Sequence, residues 1–189
     1  MIAYKAFNKD LQATMGRGVF QFEPGKTYEE SECKCAHNGF HCAENPLDCM
    51  DYYRQMDTRF FIVEAAGDIN QDGKDTRISC TRLTLKKEID RIQMAVRACM
   101  YMESHPDREW MGRYAKAESG RADRAGDFII VRGKHPQAAG VRGSCLFLIQ
   151  EEPLTRQVKG IHTMEIDGKM FKEDTYYHVR GGRICEKKN

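Results

Sequence analysis

The sequence has no apolar run approaching the roughly 20 residues that a helix needs to cross a bilayer. Its first residues carry neither the basic start nor the apolar core of a secretion signal. A cytoplasmic protein with no membrane partner is therefore expected. Also missing are a serine or cysteine in a nucleophile-elbow setting, a phosphate-binding loop and a dinucleotide fingerprint, so the enzyme classes built on those motifs have no positive support. Net charge is small as well, +2 from 30 Lys/Arg and 28 Asp/Glu, which excludes a uniformly basic nucleic-acid binder.

What is present is ordinary globular material: 189 residues, 41% apolar and 31% charged, enough for one sizeable core or two small ones. Eight cysteines in a chain of this size without a visible secretion signal predict reduced thiols rather than a disulfide framework. Charge is unevenly spread. Residues 1–75 hold 8 Lys/Arg against 13 Asp/Glu, and residues 76–189 hold 22 against 15. That imbalance is compatible with nucleic-acid or acidic-protein contact on the C-terminal side, and equally with a solvated surface.

In chain order, strands are expected at 2–7 and 18–22, followed by the turn Glu23-Pro24-Gly25-Lys26. Asn45, Pro46 and Asp48 form a strong helix start, as N-cap, first helical residue and first-turn acid. Strands follow at 59–65 and 78–85, with 67–75 as their connection. Ile89, Ile92, Val96, Cys99 and Met100 lie at helical spacing over 86–103, and Ser104-His105-Pro106 ends that pattern. Residues 107–143 are rich in glycine and basic side chains, and strand patterns return at 145–150, 158–166 and 175–179. The expected fold class is α+β. An N-terminal mixed unit (1–106) carries the capped helix and one long helix; a Gly/basic-rich connection (107–143) and a β-rich C-terminal unit (144–189) follow.

Four constellations bear on chemistry. Cys33, Cys35, His37, His41, Cys42 and Cys49 crowd into 17 residues, but their spacing is not the doubled two-to-four-residue pattern of a zinc site, so no metal is expected. Asp68 to Gly73 begins like a calcium loop and then fails, since Ser79 stands where a bidentate glutamate belongs; a polar turn is expected. His41, Glu44 and Asp48 are the candidate catalytic residues, an acid/base cluster at a turn feeding a helix. The other reading has His41 locking the turn and both carboxylates capping the helix. Arg108, Trp110, Arg113, Arg121, Arg124 and Arg132 are the candidate binding residues, basic side chains interleaved with aromatics, diluted by Glu109, Glu118, Asp123 and Asp127.

The stretches Ala3-Tyr4-Lys5-Ala6-Phe7-Asn8-Lys9-Asp10-Leu11, Phe20 to Tyr28, Gly39 to Asp48 and Met164 to Tyr177 resemble an uncharacterised family of phage and bacterial proteins sharing a domain of unknown function. Many members carry an Ala/Gly-rich β-solenoid in the middle. Only Ala115 to Gly143 remains here, with Gly120, Gly126 and Gly133 marking a connection or a short solenoid-like turn. The resemblance implies a mobile-element setting and a protein that binds and inhibits host machinery, including CRISPR nucleases, as a host protein or ribonucleoprotein partner. A second resemblance, through Tyr4-Lys5 and Gly39-Phe40-His41, is to ADP-ribosyltransferase-like folds. Lys5 stands where those carry arginine, and neither the Ser-Thr-Ser strand nor the paired glutamates is present. The expectation is thus an inhibitory binding protein without a cofactor, with an enzyme acting through residues 37–53, a transferase or a nuclease, as the alternative. Pairing of C-terminal edge strands leaves a homodimer open.

Overall fold

The short alternating segments at the start of the chain become strands because each places apolar residues on one face. The computed structural model describes residues 1–16, 18–108 and 110–187. β1 (Ile2–Phe7) buries Ala3, Lys5 and Phe7. A two-stranded ribbon follows, β2 (Gln12–Gly16) and β3 (Gly18–Gln21), with Met15, Val19 and Phe20 exposed. Then come β4 (Thr27–Glu29), β5 (Phe40–Ala43), the helix α1 (Pro46–Met50), and two 13-residue strands, β6 (Arg59–Gln71) and β7 (Arg77–Ile89). The sheet order is β4-β7-β5-β1-β6, and β6 also pairs with β7, so four of the strands close into a ring. Phe7, Phe22, Phe40 and Phe61 meet in its core, with Tyr28 packed beside them.

Closure requires β6 to bend. Its register passes from Ala66 opposite Arg82 to Ile69 opposite Cys80, leaving Gly67 and Asp68 to face Thr81 alone. This is a bulge, which kinks one strand and raises its twist. Gly67 has φ +73°, and a Cβ there would overlap the Thr81 Oγ1, which accepts the Asp68 N–H at 2.9 Å.

The chain divides into two compact units, Met1–Met94 and Ala95–Asn189. α2 (Arg91–Ser104) carries it from one to the other. The second unit contains β8 (Ala115–Ala122), β9 (Phe128–Gly140), β10 (Cys145–Glu151), β11 (Val158–Glu165), β12 (Tyr177–Arg180) and β13 (Arg183–Glu186). β8, β9 and β10 run parallel although only residues 123–127 and 141–144 separate them. Parallel neighbours ordinarily need a crossover of about a dozen residues or more. Here each strand winds into the next coil: Ala115 lies opposite Ile130, Ala122 opposite Gly140 and Phe128 opposite Cys145, the stacking of a β-solenoid. The corner is built by Glu118, at φ +58°, whose carboxylate accepts the N–H groups of Lys134 at 2.8 Å and His135 at 3.1 Å. β11 and the β12–β13 hairpin add antiparallel pairs to β10 and β9, over a core that includes Ile129, Val131, Leu146, Leu148 and Ile166.

The expected α+β class is overturned: the described residues form thirteen strands and two helices, of 5 and 14 residues, a predominantly β structure. The long helix over 86–103 fails at its start because Leu85 to Ile89 extends β7, with Ile89 paired to Phe60. α2 begins after Asp90 and Gln93 exchange side-chain to backbone hydrogen bonds at 2.7 and 3.0 Å, a capping box. Its buried face is Met94, Ala95, Ala98, Cys99 and Met102, while Val96 and Met100 are exposed. The connection expected over 67–75 is also shorter, since β6 runs to Gln71. β2, β4, β5, β8, β9 and β13 all lie outside the segments expected to be strands.

Gly67→Ala is expected to lower stability in urea titration by about 1–3 kcal/mol, through both strain and overlap at the bulge. Gly73→Ala, at φ +74° with nothing within 4 Å, serves as the control that carries the strain alone and costs less.

Candidate functional site

The turn before α1 is held by His41. Ala36, at φ +65°, points its N–H at His41 Nε2, 2.9 Å away, across the hairpin made by the Lys34–Asn38 bridge. An imidazole nitrogen that accepts a hydrogen bond carries no proton, so the ring is neutral. Its pKa is held below the ordinary 6.5, first by burial and then by the positive charges of Lys5 and Arg77, against a hydrogen bond to the Gly39 backbone and the negative charge of Asp72. The chain turns tightly at Gly39, φ +78°, where a side chain would strike Cys33 and Ser79.

The helix start forms as its residues dictate, with Leu47 N–H donating to Asn45 Oδ1 at 3.1 Å. The two carboxylates nearby do something else. Asp48 accepts the N–H and hydroxyl of Thr76, at 3.0 and 2.6 Å, and the Thr76 hydroxyl in turn accepts the Asn45 N–H at 2.8 Å. Glu44 accepts from Gln71 Nε2 at 3.0 Å. Thr76 precedes β7 directly, so the polar residues of the turn are pins between the helix start and the β6–β7 hairpin.

Beside them lies a cluster that motif reading passed over. Arg77 donates to the Tyr52 hydroxyl at 2.5 Å and to Asp72 at 2.8 Å, with Asp75 at 4.0 Å. The signal for it was the opposite charges bunched in Asp72-Gly73-Lys74-Asp75-Thr76-Arg77, a turn that neutralises its own arginine. Asp68 to Gln71 belong to β6, and Asp72 is engaged by Arg77 and by the Lys74 N–H. Cys33 and Cys35 donate to separate carbonyls, of Asp68 and Arg77. Among the described residues no three His, Cys, Asp or Glu side chains gather where a metal ion would sit.

The basic residues of the second unit separate into two groups. Arg132 is fully buried: Nε donates to Glu151 at 2.5 Å, Nη2 to the carbonyls of Arg156 at 2.5 Å and Pro106 at 3.1 Å, and the guanidinium lies 5.3 Å from the Trp110 ring centre. Trp110 is itself buried, with Arg156 at 5.9 Å. Arg121 is held by Asp123 and Asp174. Arg108, Arg113 and Arg124 are exposed, and Arg113 lies over the Tyr114 ring at 5.5 Å.

Residues 1–97, half of the chain, match the model of the family described as a domain of unknown function (DUF7666), and the chain belongs to that family. No curated protein and no solved structure matches it.

Two outcomes follow from these contacts. Because the folded pKa of His41 lies below its unfolded value, the unfolded chain takes up the proton first. This contribution to stability is complete above about pH 6.5 and is lost as the pH falls toward the folded pKa. Urea titrations between pH 7.5 and 5 are expected to show wild type losing stability relative to His41→Gln, whose amide oxygen can still accept from Ala36. Glu151→Ala strands a buried guanidinium and is expected to cost about 3–5 kcal/mol in denaturant titration.

Proposed function

We propose that this chain is a non-catalytic binding protein that engages a host protein or ribonucleoprotein in the host cytoplasm and inhibits defence machinery of the CRISPR type. One contrast supports this reading. His41, Glu44 and Asp48, on which catalysis at residues 37–53 would depend, are held in internal hydrogen bonds, whereas Arg108, Arg113 and Arg124 stand exposed. Among the described residues none of these three arginines has an ion-pair partner. Exposed guanidinium groups suit the bidentate recognition of phosphate or carboxylate. The mobile-element setting comes from the family resemblance.

The test is inhibition of a panel of Cas nucleases, with guide RNA and protein components weighed by mass spectrometry afterwards. Stoichiometric inhibition with unmodified components is expected, retained by His41→Ala and Glu44→Ala. Stepwise loss of affinity is expected as Arg108, Arg113 and Arg124 are changed to alanine. Substoichiometric inhibition with a cut guide or an added mass, abolished in a folded His41→Ala protein, would replace binding by catalysis. Inactivity across the panel would remove the defence role.

A further inference from the structure

The sheet of the second unit ends at β11, which pairs with β10 and with no other described strand. An edge strand presents a row of unpaired N–H and C=O groups, and proteins ordinarily guard it by keeping it short, bending it, or setting a charge or a proline along it. Two other edges of this unit are guarded in that way. β13 is 4 residues long, and β8 is bent at Glu118, whose φ is +58°. β11 runs for 8 residues without a proline, in regular register with β10 from Gly160 to Glu165. The side chains that alternation places on the face of the buried Met164 are Gly160 and His162, neither of them a lysine, arginine or carboxylate.

Alternation also fixes which of its backbone groups are free. In a strand each residue turns its N–H and C=O to the same side, and successive residues to opposite sides. Ile166 donates to the Ser144 carbonyl at 2.9 Å and accepts the Gly143 N–H at 2.7 Å, so it faces β10, as do Met164, His162 and Gly160. Lys159, Ile161, Thr163 and Glu165 therefore turn their backbone groups away from the sheet, where no hydrogen bond from the described residues meets them. Lys159, Thr163 and Glu165 are exposed and Ile161 is half-buried.

We propose that β11 is the interface of a homodimer, in which two copies of the strand pair antiparallel about a two-fold axis at His162 and join their sheets into one. Bonds form only where outward residues meet outward residues, so the axis passes through a residue and not between two. An axis at His162 uses the whole strand. Lys159 then lies opposite Glu165 of the second copy and Ile161 opposite its Thr163, and both pairs recur by symmetry. The two charges that keep a foreign strand from the ends of β11 become ion pairs with a copy of itself, and Ile161 with Thr163 makes a β-branched cross-strand pair. Within its own chain Lys159 is held by Glu152, an exposed pair that is exchanged at little cost. One strand pair covers less than the ~1,200 Å² at which standard interfaces begin, so the dimer is a weak one that fills as concentration rises.

The test is sedimentation of the full-length protein in reducing buffer from about 10 μM to about 1 mM, the range that resolves a weak interface. Wild type is expected to pass from monomer to dimer. Thr163→Pro removes an outward N–H and leaves the ladder to β10 intact; it is expected to weaken dimerisation about tenfold. Lys159→Glu sets like charges opposite each other and is expected to weaken it about three- to tenfold, while the double exchange Lys159→Glu with Glu165→Lys restores it. Amide exchange followed by NMR on wild type decides the matter even where a variant fails to fold. The Ile161 and Thr163 amides are expected to slow as concentration rises, and those of His162 and Met164, already bonded to β10, to stay as they were. A chain that remains monomeric overturns the proposal. So does a dimer indifferent to Thr163→Pro or Lys159→Glu, a double exchange that restores nothing, or protection that gathers on another edge.

Discussion

The first unit depends on one strand being shared. β7 pairs with β5 and β4 along one edge and with β6 along the other, while β1 bridges β5 and β6. Such a ring cannot close with straight strands, because the edges of a four-stranded sheet meet only when the strands twist and bend strongly. The bend lies at Gly67, where the chain takes a conformation closed to other residues at little cost and Thr81 receives the freed Asp68 N–H. The register beyond the bulge follows from it, and with it the positions of Thr76, Ser79 and Cys80.

Closure also settles the chemistry of the turn that precedes α1. Once β5 lies along β7, Asp48 and Asn45 fall beside Thr76, Glu44 beside Gln71, and the His41 ring faces Ala36. Polar groups taken out of water are stable there only with partners, and these residues are partners for one another. The groups resembling a general acid and base are therefore the fasteners of the hairpin.

In the second unit the same economy of polar groups takes another form. The parallel coil turns its corner by placing the Glu118 carboxylate over two backbone amides, and Arg132 neutralises Glu151 within the fold while donating to the carbonyls of Pro106 and Arg156 and lying over the Trp110 ring. The arginine that follows Ile129-Ile130-Val131 is thereby one half of a structural ion pair, and the basic surface is left to Arg108, Arg113, Arg124 and their neighbours.

Local features were legible in the sequence. The cap at Asn45, the turn at Glu23 to Lys26, strands with period-two alternation and the stop at His105-Pro106 all depend on neighbours a few residues apart, and each formed as its residues dictate. The start of α2, the strand at 115–122 and the burial of Arg132 were hidden because each is decided by a residue distant in the chain: Phe60 drawing Ile89 into β7, Ile130 and Gln137 pairing with a strand too polar to announce itself, and Glu151 waiting 19 residues on. Sequence by itself determined the turns, the caps and the apolar segments, since those obey dihedral preference and side-chain periodicity. Only the tertiary structure decided which segments became strands of a ring or coils of a stack, because a hydrogen-bonded ladder supplies to a polar or glycine-rich segment the partners its own residues lack.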